Sequence, residues 1–131
     1  MKVLLDTNIW VAAYASKGLC LEVVDLARRG HEIILCEQIP REFEKALVRK
    51  LGFPAVSARQ EAGFLRQSLR VLPDPRAAPS RSRDPSDNAI LQCALLASCG
   101  CLVTGDEDLV VLQNVEGMPI LRPRDFLRIA A

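Results

Sequence analysis

The sequence predicts an α/β fold, a three-layer α/β/α arrangement around a mainly parallel central sheet of about five strands. Two observations predict it. Short apolar segments of strand length alternate with longer segments whose apolar residues have helical spacing, which is the pattern of parallel strands joined by helical crossovers. The chain also has 131 residues, half of them hydrophobic, which suits one core rather than two. We therefore expect a single domain over residues 1–131.

The first strand is predicted at residues 2–5, where a short apolar run stops at the polar Asp6. Helices are predicted next at residues 9–15 and 19–29. Apolar positions recur near the helical period in the second of them, and Gly30 ends it.

A second apolar strand, at residues 32–36, leads into a helix at residues 40–50. Pro40 suits the first helical position because its fixed φ matches the helix and its missing N–H would have no helical partner there. An amphipathic helix at residues 54–69 follows, and residues 70–72 form a short third strand.

A loop that contains three prolines and three arginines is predicted at residues 73–83. Asp84 and Pro85 then give a strong helix start, with a capping carboxylate before a proline at the first helical position. This helix should run to about residue 98 and lead into a buried strand at residues 101–104. The rest of the chain is predicted to form a helical turn, a short strand and a short helix, at residues 108–112, 119–121 and 125–130.

Charge and hydropathy exclude a protein that binds nucleic acid through a large overall positive charge and a protein that spans a membrane. Lys plus Arg number 17 against 16 Asp plus Glu, so the formal charge is +1 and any nucleic acid would have to be met by a local patch. No apolar run approaches the roughly 20 residues that span a bilayer. The N-terminus carries Lys2 but no signal-peptide core. We therefore predict a cytoplasmic protein that does not bind membranes.

The cysteines do not have the spacing of a zinc site. They are odd in number, they lie in apolar surroundings without a Cys-x-x-Cys pair, and His31 is the only histidine. These features indicate buried reduced thiols rather than zinc ligands. With one histidine, the catalytic chemistry has to be sought among the carboxylates. The five cysteines are Cys20, Cys36, Cys93, Cys99 and Cys101.

Four carboxylates are predicted to lie near one edge of the sheet. Asp6 and Asp106 follow two buried strands, and sites in parallel sheets gather at the carboxyl ends of strands. Glu42 and Asp87 lie in the predicted first turns of helices that start near that edge. Carboxylates so close repel one another unless a hard divalent cation neutralises them. The sequence therefore predicts a Mg²⁺ or Mn²⁺ site that activates water for attack on a phosphodiester.

Each acid taken alone also has a structural interpretation. Asp6 could form a turn at its strand end, and Asp87 could favour the helix dipole. Glu42 could be a solvated helix acid, as we expect for Glu44, and Asp106 could belong to an acidic turn. The combination favours the site, because the two strands are uncharged up to their last residues.

These features together resemble the PIN-domain family, and most closely the prokaryotic VapC-like toxins of type II toxin–antitoxin pairs. The resemblance extends from residue 2 to about residue 127, in the order in which the family has its motifs. The motifs are Asp6-Thr-Asn8 after the first strand, Glu42 on a helix, Asp84-Pro-x-Asp87-Asn, Val103-Thr-Gly-Asp106-x-Asp-Leu109 and Pro123-x-Asp-Phe126.

The resemblance implies a Mg²⁺- or Mn²⁺-dependent endoribonuclease that acts as a toxin on RNA, binds a cognate antitoxin and forms a homodimer. The acids that match the catalytic and metal-binding positions are Asp6, Glu42, Asp87 and Asp106. Thr7, Asn8 and Thr104 match polar positions that support the site, and Asp108 matches an auxiliary acid. Cys36 departs from the pattern, because a small hydroxyl residue is expected there.

Three other functions are less compatible with the sequence. A phosphatase with an Asp nucleophile needs a second Asp at position 8, which is Asn8. A phosphoacceptor receiver module needs an acceptor Asp at the end of a mid-chain strand, but the second strand ends at Cys36. The main alternative is a non-catalytic PIN-like module for RNA binding or interaction, and the presence of all four acids argues against it.

Two groups of cations flank the predicted acids, and the sequence leaves their role open between phosphate attraction and a solvated face. They are Arg41, Lys45, Arg49 and Lys50 on a helix, and Arg76, Arg81 and Arg83 in the loop. Trp10 and Tyr14 stand four residues apart and share a helix face, for which core packing is favoured over a wall of the substrate cleft.

Overall fold

The computed structural model describes residues 1–16 and 18–130. Within them the chain forms six strands and seven helices in the alternating order that the sequence predicts. The strands are β1 Lys2–Leu5, β2 Glu32–Cys36, β3 Arg70–Leu72, β4 Cys101–Val103, β5 Asn114–Val115 and β6 Met118–Leu121. The helices are α1 Thr7–Ala15, α2 Leu19–Gly30, α3 Gln38–Leu51, α4 Ala55–Ser68, α5 Pro85–Leu96, α6 Glu107–Val110 and α7 Pro123–Ala130.

The central sheet has the strand order β3-β2-β1-β4-β6-β5, and every pairing except β5 with β6 is parallel. This confirms the predicted α/β fold with its mainly parallel sheet. The chain places β2 on one side of β1 and β4 on the other, so the strand order reverses at β1. Leu5 pairs with Val103, which sets the carboxyl ends of β1 and β4 side by side. Ligand sites in open α/β sheets form at such a point.

The core consists of the apolar strands and of the helix faces that cover them. Val3, Leu4 and Leu5 are fully buried, as expected for a parallel strand covered on both faces. Trp10 is also fully buried, and its Nε1 donates a hydrogen bond to the Leu5 carbonyl at 3.1 Å. The core-packing interpretation is therefore correct for Trp10. Tyr14 differs, because 38% of it is exposed.

Several helices begin earlier than the sequence predicts, because the residues before them act as caps or continue the helix. The α1 helix starts at Thr7, whose N–H is capped by the Asp6 carboxylate. The α3 helix starts at Gln38, so Pro40 is its third residue, where a missing N–H is still tolerated. The predicted start of α5 is confirmed, since Asp84 accepts from the Ser86 N–H.

A sixth strand, β5, is absent from the predicted set. Val115 pairs with Met118 across a two-residue turn formed by Glu116 and Gly117. Both turn residues have positive φ, at 50° and 91°, as the tight turns that join antiparallel strands require. Only two residues precede the turn in β5, which is too short for an alternating pattern to show in the sequence.

The cysteines and the helices bear on the remaining structural predictions. Four of the five thiols are buried and Cys20 is half-buried, in agreement with the apolar surroundings predicted for them. In residues 1–16 and 18–130, no helix combines the length and the apolar character needed to cross a membrane. The cytoplasmic location stays a prediction from the sequence.

Candidate functional site

A cavity of about 420 Å³ opens at the carboxyl edge of the sheet, beside the ends of β1 and β4. All four acids that the sequence singles out line this cavity, and they come from four different segments of the chain. They are Asp6, Glu42, Asp87 and Asp106. We call this cavity the acid cleft. The structure thus brings the predicted carboxylates together at the predicted edge.

Asp6 lies at the end of β1, buried, with its carboxylate held by three donors. One oxygen accepts from the Thr7 N–H at 2.8 Å. The other accepts from Thr104 Oγ1 at 2.8 Å and from Asn8 Nδ2 at 3.2 Å. The three residues predicted to support the site therefore all contact Asp6. Together they fix the direction in which this carboxylate points.

The same supporting residues join the loops that follow β1 and β4. Asn8 Oδ1 accepts from the Gly105 N–H at 2.9 Å, and Thr104 Oγ1 accepts from the Asp106 N–H at 3.0 Å. Asn8 Nδ2 also approaches Thr104 Oγ1 at 3.3 Å. Because these bonds cross between the two loops, the position of Asp106 depends on that of Asp6.

Asp87 is buried in the first turn of α5, where the sequence places it. Ser82 Oγ donates to its carboxylate at 3.2 Å. Asn88 in turn holds the preceding loop, because its Oδ1 accepts from the N–H groups of Arg81 at 2.9 Å and Ser82 at 2.7 Å. Neither the role of Ser82 nor that of Asn88 is predicted from the sequence. The position of Asn88 directly after Asp87 was the one available signal.

Glu42 lies in the second turn of α3, not in the first, because that helix begins at Gln38. Its Oε1 accepts from Thr7 Oγ1 at 3.0 Å and from Gln38 Nε2 at 3.4 Å. Glu44 does not line the acid cleft and borders a neighbouring cavity instead. The structure therefore favours Glu42 over Glu44 as the acid of this helix that belongs to the site.

Asp108 stands at the start of the helical turn predicted at residues 108–112, and by residue type and position we expect it to cap that turn, but this expectation is wrong. Asp106 is the cap of α6, and its Oδ1 accepts from the Asp108 N–H at 2.9 Å. The carboxylates of Asp87, Asp106 and Asp108 each offer an oxygen atom, and these atoms lie within 4.8 Å of one another. Asp108 also forms an ion pair with Arg83 at 3.0 Å. Asp108 thus lies beside Asp87 and Asp106.

Burial disfavours the ionised forms of Asp6 and Asp87 in the acid cleft. Burial raises the pKa of Asp6 to about 6, and the charges of Glu42 and Asp106 add to the rise, while bonds from Thr104 and Thr7 oppose it. Burial, followed by the charge of Asp106, raises the pKa of Asp87 to about 7. A divalent cation would remove this penalty, and the all-oxygen donor set is the kind that Mg²⁺ and Mn²⁺ prefer.

These pKa values predict how stability depends on pH. In the metal-free folded state, Asp6 and Asp87 keep their protons up to about pH 6 and pH 7, whereas in the unfolded chain they lose them near pH 3.8. The folded state therefore binds more protons than the unfolded state between pH 4 and pH 7. Its free energy of unfolding should therefore fall as pH rises, by about 4 kcal/mol between pH 5 and pH 7 at about 1.4 kcal/mol per pKa unit.

Urea unfolding in EDTA at pH 5 and pH 7.5 measures this effect, and the midpoint should be lower at pH 7.5. Added Mn²⁺ should reverse the order, since metal ligands must be deprotonated and binding is favoured at the higher pH. A metal-free midpoint that stays level or rises toward pH 7.5 contradicts the raised pKa values.

Comparison with known proteins agrees with this architecture. The family model of the PIN domain matches residues 2–108. Among solved structures, one is VapBC2 from Rickettsia felis, bound to a DNA fragment from the VapBC2 promoter. It superposes with a TM-score of 0.67 at 12% identity, and the match covers 93% of this chain and 98% of that one. VapC20 of Mycobacterium tuberculosis, a sarcin–ricin loop cleaving toxin, gives 0.66 at 17% identity and covers 89% and 99%. No curated protein sequence matches the chain.

Proposed function

Because this chain belongs to the PIN domain family, we propose that it is a metal-dependent endoribonuclease and the toxin of a toxin–antitoxin pair. The observation that carries the proposal is the meeting of four acids from distant segments in one cleft. The burial of Asp6 and Asp87 and the repulsion among the acids suit a site built for a cation rather than a set of surface charges. We assign the activity to one domain that spans residues 1–131.

The residues present fit a Mg²⁺ or Mn²⁺ site. Asp6, Glu42, Asp87 and Asp106 would hold the cation, with Asp108 as an auxiliary acid. When bound, Mg²⁺ or Mn²⁺ lowers the pKa of a water molecule and stabilises the negative charge that develops on the phosphate.

The chain's own polar groups prepare the acids for that role. The Thr7 N–H, Asn8 and Thr104 hold the Asp6 carboxylate, and Thr7 Oγ1 holds Glu42, so that one residue orients two acids. Ser82 holds Asp87 on the other side of the cleft. With these bonds in place, the acids need little rearrangement to receive a cation, which favours precise placement of the scissile phosphate.

We also propose an antitoxin partner and a homodimer. The antitoxin proposal draws on the sequence resemblance and on the similarity to VapBC2. The homodimer proposal draws on α4, where Val56 and Phe64 stand eight residues apart on one face and are 58% and 52% exposed. Light scattering on the chain alone tests the homodimer, and a monomer contradicts it. Purification after co-expression with the operon partner tests the antitoxin, and the absence of a co-purified partner contradicts it.

Metal removal tests the enzymatic proposal directly. The purified protein should cleave a mixed pool of single-stranded RNA with Mg²⁺ or Mn²⁺, lose all cleavage in excess EDTA, and recover it when Mn²⁺ is restored. Loss in EDTA separates this activity from contaminating ribonucleases that need no metal. Cleavage that persists in EDTA contradicts the proposal. Absence of cleavage with both metals favours the non-catalytic RNA-binding or interaction module.

A further inference from the structure

We propose that Lys45 and Arg49, together with Lys50, form a phosphate-binding ridge on α3 that leads single-stranded RNA into the acid cleft. The proposal rests on the proposed function, and it adds the residues that position the substrate. All three cations line the same cavity as Asp6 and Asp87, on the wall that α3 provides. The wall that α3 provides therefore carries these cations beside Glu42, and the other three acids come from other segments of the chain.

Ion pairing separates these three cations from three of the other four cations that flank the site. Arg41 is paired with Asp74, Arg81 with Glu116 and Arg83 with Asp108. Among residues 1–16 and 18–130, no carboxylate oxygen lies within 4.0 Å of the charged groups of the ridge cations Lys45, Arg49 and Lys50. Their charge is thus available to a ligand from outside the chain, whereas each paired arginine already has a carboxylate beside it.

A second cavity gives the ridge a direction. This cavity, of about 210 Å³, is also lined by Lys45 and Arg49, together with Glu44, and it extends past Val48 to Ala55 at the start of α4. The two cavities therefore meet at the same two side chains. Lys45 and Arg49 stand four residues apart, about 6 Å along the axis, so they lie next to each other on one face. A strand with one phosphate at the acids can continue over this pair toward α4.

The form of the cleft favours a single strand over a duplex. Asp6 and Asp87 are only 4% and 5% exposed, so a phosphate reaches them only if the backbone can bend into the cleft. A flexible single strand can do so, whereas the phosphates of a duplex are held on a regular helix. The described residues that line the two cavities include no aromatic side chain. The ridge should therefore bind the backbone and tolerate many sequences.

Salt-dependent binding tests the ridge apart from catalysis. The probe is a short fluorescein-labelled single-stranded RNA of mixed sequence, titrated in EDTA at about 50 to 200 mM KCl and followed by anisotropy. Lys45→Gln and Arg49→Gln should each weaken binding on the order of tenfold at low salt. Each should also make the negative slope of log K against log [KCl] shallower by about 0.7, and the double variant should make it shallower by about 1.4. In Mn²⁺, the same variants should raise KM and leave kcat nearly unchanged.

The matched control is Arg29→Gln. Arg29 is an exposed cation at the end of α2, at the opposite edge of the sheet, and its slope should equal that of the wild type. Wild-type slopes in both ridge variants overturn the ridge, even if Mn²⁺-dependent cleavage is intact. A lowered slope in a protein that never cleaves RNA supports the ridge and overturns the nuclease. A duplex of the same sequence that binds as tightly, with the same losses, overturns the preference for single strands.

Discussion

Replacing Asp6 with asparagine is expected to lower metal-dependent RNA cleavage by on the order of 10³-fold, because the cleft loses a charged ligand for the cation. The residue is buried at the end of β1, next to the other acids, and the substitution keeps its size. Initial rates at saturating Mn²⁺ measure the loss. Asp25→Asn, at an exposed position of α2, is the matched control and should cleave like the wild type.

Two opposing effects decide the stability of the Asp6→Asn protein. Removing the charge abolishes the cost of burying a carboxylate, the cost that raises the pKa of Asp6 to about 6. Above that pH, this stabilises the variant by about 3 kcal/mol. The new amide, however, turns one acceptor into a donor that faces N–H or O–H groups, which costs about 1–3 kcal/mol.

We therefore expect a folded protein whose melting temperature in EDTA at pH 7.5 lies close to that of the wild type. Its fall in stability from pH 5 to pH 7.5 should be smaller than that of the wild type, because one of the two titrating acids is gone. Full cleavage activity in a well-folded Asp6→Asn protein removes Asp6 from the mechanism.

Replacing Asp106 with asparagine is expected to cost much more activity than the same change at Asp108, on the order of 10²-fold or more against about tenfold or less. Asp106 lines the acid cleft with Asp6, whereas Asp108 lies outside that lining and pairs with Arg83. Both variants keep the helix start, since asparagine caps as well as aspartate does and Asp106 is the cap.

Rates at saturating Mn²⁺, together with thermal melts, compare the two variants. Asp106→Ala provides a second comparison, because it removes the cap as well as the charge and should lower stability by about 1 kcal/mol relative to Asp106→Asn. If Asp108→Asn is inactive and Asp106→Asn is nearly normal, the acid that completes the site is Asp108.

The sequence by itself determined the fold class and the identity of the clustered acids. Parallel strands are apolar throughout and end in polar residues, so the runs before Asp6 and Asp106 revealed both the strands and their carboxyl ends. The helix start at Asp84 was equally readable, because a cap and a proline act within a few residues. Where a structural feature depends on residues close together in the sequence, composition and spacing are sufficient to predict it.

Only the tertiary structure decided which side chains hold the acids and which cations are free. Thr7 reaches Glu42 across 35 positions, and Arg41 is neutralised by Asp74 across 33. Neither pairing leaves a pattern in the sequence.

The cap of α6 shows the same limit at short range. Asp106 and Asp108 are both suitable caps by residue type, and the exact end of β4 selects Asp106. The physical reason is common to these cases. Hydrogen bonds and ion pairs form within about 3–4 Å, so their partners are set by packing and register rather than by local propensity.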